Sequence, residues 1–253
     1  MSDPTLPVPA EPKPGLSQWE RVSNAFTAPS RTFEDIRRGN RSWWLPFLIG
    51  IVFSYMLFAG ISMRVGWSRA AENMIRMNPK QAERIDQLPE DQRASALRIT
   101  AISTEVSAAA GPVLFILMAL VVAAILWGTV NFAFGAQASF GAVLAVYFYA
   151  SLPMIFKPLL ATIALFVGIA PESFMLQNYV GTNIAYYLSF EETNKALYVL
   201  LTQIDIVNLW VAILLSIGLA AVAGKKRSAG YATVFCWWFA FTVLRVGIAL
   251  ITG

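Results

Sequence analysis

Five stretches of this chain stay apolar over about the 20 residues that a helix needs to cross a hydrocarbon core about 30 Å thick. They run from Trp43 to Ser62, Ala108 to Phe132, Phe140 to Val167, Ile204 to Val222 and Tyr231 to Ile251. Backbone polar groups have no partners in lipid, so each stretch is predicted as a helix. The third contains Pro153 and Pro158, which remove backbone donors and predict a kink or break. A further apolar segment, Pro171 to Phe190, is interrupted by Asn178, Gly181 and Asn183 and reads as interfacial or re-entrant rather than spanning. The pattern predicts an all-α, polytopic transmembrane bundle of five spans.

The polar segments between them are unequal. Residues 1–16 are rich in proline, lack the apolar core of a signal peptide, and read as a disordered tail. Residues 17–42 read as interfacial amphipathic helices. Ser17 and Glu20 have the spacing of a capping box, Trp19, Val22 and Phe26 recur at helical intervals, and a second helix begins at Pro29 with Phe33 and Ile36 on one face. Arg37, Arg38, Arg41 and the Trp43-Trp44 pair complete a membrane-edge signature. Within the five-span domain of residues 43–253, an extramembrane helical loop occupies 64–105, with helix starts at Pro79 and Pro89 and a Glu72–Arg76 pair at i, i+4. Its last helix is predicted to run from Glu90 into the second span.

Charge placement sets the expected orientation. Basic residues at 37, 38 and 41, and again at 225–227, flank the first span and the fourth–fifth connection, so both belong on the cytoplasmic side. Five spans then put the N-terminus inside and the C-terminus outside. The 64–105 loop, with seven basic residues against six acidic ones, would face outward against this rule.

Composition narrows the chemistry. The chain is 57% hydrophobic and 13% charged, with one cysteine and no histidine, and its mean hydropathy is +0.58. Lack of histidine removes the commonest metal ligand and general base. No catalytic, metal or cofactor set is assigned, and no basic-aromatic patch suggests nucleic acid.

Three ionisable residues are expected within spans: Lys157, Asp205 and Arg245. Counted from their cytoplasmic ends at about 1.5 Å per residue, Asp205 falls about 26 Å in, Arg245 about 27 Å, and Lys157 at a similar depth. Arg64 and Glu105 are expected at the same level. This charged layer is either a polar site with Asp205 paired to Lys157 or Arg245, or a set of snorkelling side chains that lock helices together. Ser216, Ala220 and Gly224 form a row of small residues that serves close packing within the bundle or between protomers of a homo-oligomer.

Two segments carry a family resemblance. Phe26-Thr-Ala-Pro-Ser-Arg-Thr-Phe33-Glu-Asp-Ile36 ahead of a Trp-rich first span, and Phe140-Gly141 followed by Tyr147, Tyr149, Leu152 and Pro153, resemble bacterial members of the Yip (Ypt-interacting) family. The resemblance implies five spans and a cytoplasmic N-terminus. The eukaryotic Asp-Leu-Tyr-Gly-Pro motif is missing, with Pro29 to Phe33 in its place, which speaks against a GTPase partner. Some bacterial relatives are associated with ABC-type export machinery.

The leading expectation is therefore a non-enzymatic accessory or scaffold protein of the bacterial cytoplasmic (inner) membrane. It would contact the lipid bilayer and bind another membrane complex, an ABC-type exporter being one candidate. Trp19, Phe26, Phe33, Arg37 and Arg38 are its expected docking residues. The alternative is an autonomous small-molecule or lipid transporter that uses the charged layer.

Overall fold

A computed structural model describes residues 15–252, with no side-chain description for Thr252; the Pro-rich tail falls almost wholly outside the described residues. Five helical segments are long and apolar enough to span a membrane: α3 (Trp44–Arg64), α7 (Gly111–Phe134), the composite α8 (Phe140–Ala150) plus α9 (Phe156–Val167), α11 (Ile206–Ala223) and α12 (Arg227–Thr252). Among the described residues there is no strand, only an isolated bridge between Asn183 and Asp205. The break in the third span falls at a 3-10 turn, Leu152–Ile155, with Pro153 inside it.

The five spans are not equivalent. Half of α11 is buried inside the protein but only 17% of an 18-residue apolar stretch of α12 is, so α11 is the central post and α12 is the more outward-facing helix. The core around that post joins Val143, Val146 and Tyr149 of α8 to Leu219 of α11. Two glycines permit the contacts. A Cβ at Gly230 would overlap the Ser216 carbonyl oxygen, and one at Gly218 would meet the Val146 and Phe33 side chains. The small-residue row at Ser216 and Ala220 is thus occupied by α12 of the same chain.

Helices α1 (Gln18–Thr27) and α2 (Pro29–Arg37) form a hairpin at the N-terminus. The capping box is present: the Ser17 hydroxyl accepts from the Glu20 amide, and the Glu20 carboxylate accepts from the Ser17 amide at 2.7 Å. Backbone donation to Glu20, then the Ser17 side-chain hydrogen bond, hold its carboxyl below the ordinary glutamate value. The hairpin's base is tied by Asp35, which accepts from the Leu16 amide and the Asn40 side chain. Arg21, only 1% exposed, donates to the Asn40 and Ser42 carbonyls, stands 3.7 Å from Asp35 and lies over the Tyr149 ring. Phe33 and Ile36 are fully buried, and α2 runs along α11. The Phe33–Ile36 face of α2 is therefore covered by the protein's own spans.

Beyond the spans, α4 (Trp67–Arg76), α5 (Pro79–Asp86) and α6 (Glu90–Ala109) form the expected helical loop. Pro79 is in the first turn of α5, while Pro89 is the residue before α6 rather than its first. The second span is not continuous with α6: the chain turns at Ala110 and restarts at Gly111. The expected Glu72–Arg76 pair is replaced, since both arginines of α4 reach the loop after α9. Arg69 pairs with Glu172 at 2.7 Å and more loosely with Glu72, and Arg76 bonds Asn73 and the Glu172 carbonyl. Asn73, buried, donates to the Pro171 and Phe174 carbonyls. Those bonds tie the 168–194 connection to α4 and hold it over one end of the bundle. An additional helix, α10 (Lys195–Gln203), follows it and packs on α12.

Candidate functional site

Asp205 stands one residue ahead of α11, in extended backbone geometry, and its side chain caps that helix. An acidic residue immediately before an apolar run is the ordinary N-cap pattern, because the first amides of a helix lack partners and carry its positive dipole end. Oδ1 accepts from the Val207 and Asn208 amides, both at 2.9 Å. Oδ2 accepts from the Thr182 hydroxyl at 2.7 Å and from Lys157 Nζ at 2.9 Å. The carboxylate thus receives four donors and is almost completely buried. Such a cage favours the charged form.

Lys157 lies in the first turn of α9, just past the break in the third span. A cation is disfavoured at a helix N-terminus. Asp205 offsets this, and Nζ also donates to the Asn208 side-chain oxygen at 2.9 Å. The broken helix is what turns Lys157 toward the start of α11. Of the two partners expected for Asp205, the structure therefore selects Lys157.

Arg245 belongs to the same site without joining the pair. It reaches Gln203 at 3.4 Å and, with Lys157 and Asp205, lines one cavity of about 610 Å³. The cavity's other walls are Met74, Met77 and Gln81 from α4–α5 and their junction, the 177–183 segment, and α10. Its cations are Lys157, Lys195 and Arg245, and its one acid is Asp205. The polar residues that interrupt the Pro171 to Phe190 stretch build its wall: Asn183 donates to Asn178, which donates to the Tyr198 hydroxyl. Burial, and then the charge of Asp205, push the Tyr179 phenol above the ordinary tyrosine value, so Tyr179 enters as a neutral hydroxyl. Below the cavity lies an apolar slot of about 230 Å³ between α3, α7 and the third-span break. Met154 and Tyr179 border both spaces.

Arg64 does not belong to this layer. It donates to the Leu165 carbonyl and lies over the Phe166 ring, eight residues farther along α9 than Lys157, about 12 Å at helical rise. Glu105 does not line the cavity either. The expected N-terminal docking set also divides. Trp19 is 68% exposed, and Arg37 and Arg38 are exposed beside Glu34. Phe33 is wholly buried, and Phe26 packs edge-on against Phe156 and Trp210. Those two phenylalanines hold the hairpin to the bundle, with Phe33 wholly covered and Phe26 partly buried.

Thr182 and Asn208 are functional neighbours that sequence reasoning missed. No spacing rule links Thr182 to Asp205, although the N-cap pattern at Asp205 was readable. Among the described residues, no group of three or more His, Cys, Asp or Glu could hold a metal ion.

No curated protein and no solved structure matches the chain. The Yip1 domain family matches residues 23–248, from the N-terminal hairpin to the last turns of α12, and so includes the whole cavity. This chain belongs to the Yip1 domain family.

Proposed function

We propose that this Yip1-family membrane protein is a non-enzymatic accessory protein that docks another membrane protein along α6. The observation that carries the reading is an apolar stripe on an otherwise polar helix. Ile99, Ile102 and Val106 are 66%, 51% and 60% exposed, with Arg98, Thr100 and Glu105 among them. Just past the turn at Ala110, Val113 and Leu117 are exposed on the α7 span. Exposed apolar surface beyond the spans favours a partner. Its closeness along the chain to the α7 span favours a partner that itself emerges from a bilayer. An ABC-type exporter in the bacterial cytoplasmic membrane is the partner class we favour, with the N-terminal hairpin on the cytoplasmic side and the C-terminus outside.

The test is site-specific photocrosslinking in native membranes. A photoreactive residue at position 99, 102 or 106 should give a discrete protein adduct, while one at Phe239, exposed on α12, should give lipid adducts. Ile102→Glu should abolish the protein adduct made from position 99. Lipid adducts alone from all three positions would overturn the reading in favour of a membrane-lying α6.

A second reading, transport, is favoured by the Lys157–Asp205 pair lying in a cavity beside a broken span. Flux above empty liposomes with purified protein is its test, and lack of flux removes it.

A further inference from the structure

We infer that the cavity and the slot beneath it form one binding site for an anionic phospholipid, with its phosphate beside Arg245 and an acyl chain in the slot. This does not depend on the docking reading of α6.

The upper cavity is charged and built. Its three cations face a single acid, Asp205, whose oxygens are already committed to four donors. Lys157 is matched by Asp205, so Arg245 brings to the lining a cation that Asp205 does not pair with. Arg245 has five N–H donors in a planar fork and makes one long hydrogen bond, to Gln203. A phosphate is the anion whose geometry matches a guanidinium fork. Side-chain amides and hydroxyls at Asn78, Gln81 and Thr202 line the same space and suit a polar headgroup. The volume of about 610 Å³ lies within the roughly 300–1,000 Å³ typical of small-molecule sites.

The lower slot is of the opposite character. It is walled by Pro46, Phe47, Ile51, Phe115, Leu152 and Ile155, and holds no charged side chain. Gly50 leaves it open, since a Cβ there would meet nothing within 4 Å. Met154 and Tyr179 are shared by the two spaces, and both suit a neck between polar and apolar regions. A water-soluble anion would use only the upper part. A charged headgroup joined to a hydrocarbon chain uses both, which is why lipid is preferred over free phosphate.

The experiment uses full-length protein in mild detergent. Native mass spectrometry would count adducts after addition of phosphatidylglycerol or phosphatidylcholine, and calorimetry would titrate glycerol phosphate. The expected result is at least about tenfold more phosphatidylglycerol than phosphatidylcholine retained. Arg245→Gln should reduce that retention about tenfold, with Arg245→Lys keeping most of it. Gly50→Leu, placed where the backbone has open space, should reduce lipid retention several-fold and leave any glycerol phosphate titration unchanged. Equal retention of the two lipids, or phosphatidylglycerol retention insensitive to both Arg245→Gln and Gly50→Leu, would overturn the site. Glycerol phosphate binding as tight as that of the lipid would overturn the assignment to lipid and give the cavity to a soluble phosphate. Gly50→Leu lies away from the charged cage, so it keeps the test decisive if an Arg245 variant fails to fold.

Discussion

Asp205→Asn and Lys157→Met should not be equivalent, although each breaks the same ion pair. At 2.9 Å and an effective dielectric of about 20, the gross attraction is about 6 kcal/mol. Most of that offsets desolvation, and removing one partner of a buried pair costs about 3–5 kcal/mol because the other charge is stranded. Asparagine keeps Oδ1 and the helix cap but turns an NH₂ group toward an ammonium. Lys157 then has only Asn208 as acceptor and little exposure. Slight access to the cavity places the cost near the lower bound, about 3 kcal/mol. Methionine at 157 leaves Asp205 with Thr182 and two helix amides, and the loss should be about 1 kcal/mol. The double variant removes the stranded ammonium, so it should be more stable than Asp205→Asn alone, with a coupling of about 2 kcal/mol. Thermal unfolding in detergent, read by the fluorescence of the eight tryptophans, would rank the three. Additive losses, or a larger loss from Lys157→Met, would refute the argument that the carboxylate is over-supplied with donors and the ammonium is not.

Gly230→Ala should cost more than Gly218→Ala, because the first meets the Ser216 carbonyl and the second meets side chains that can shift; overpacking of about 1–3 kcal/mol is expected at Gly230, read as a lower unfolding temperature. Arg21→Ala should loosen the N-terminal hairpin and raise the rate of tryptic cleavage at the exposed Arg37 and Arg38; an unchanged rate would mean Phe33 and Ile36 hold it alone. Because the Glu20 carboxyl is held below its ordinary value, its capping bond adds stability that is present above the unfolded-state value and lost as pH falls through the lower folded-state value. The unfolding temperatures of the native chain and Glu20→Gln should therefore differ near neutral pH and converge in acid.

The spans were readable because length and hydropathy are direct responses to the bilayer. The break at Pro153 was readable because proline removes a helix bond whatever surrounds it. The charged layer was partly readable: helical rise alone brings Lys157, Asp205 and Arg245 to one depth, but rotation about each helix decides which pair meets. Arg64 shows the failure of that method, since α9 continues about 12 Å past Lys157 before reaching it. The fate of the N-terminal hairpin was not readable either. Phe33 and Ile36 have the spacing of an amphipathic face, and that spacing is identical for a face covered by lipid and one covered by α11. Thr182 and α10 depend on the return path of the 168–204 segment, which tertiary contacts to α4 and α12 determine.

The hairpin's burial has a consequence for biogenesis. Phe33 rests on Gly218 and Ser30 receives a bond from Arg227, so the first helices made find their seat only when the fourth span and the start of the fifth exist. At roughly 5–20 residues per second of synthesis, the wait is on the order of ten seconds or more. Throughout it, Phe33 and Ile36 lack the cover that α11 gives them, and the nascent chain offers a sticky segment to whatever escorts it. Docking of that segment is the closing step of assembly, and a ribosome stalled before α11 would leave a chain inserted but unlatched.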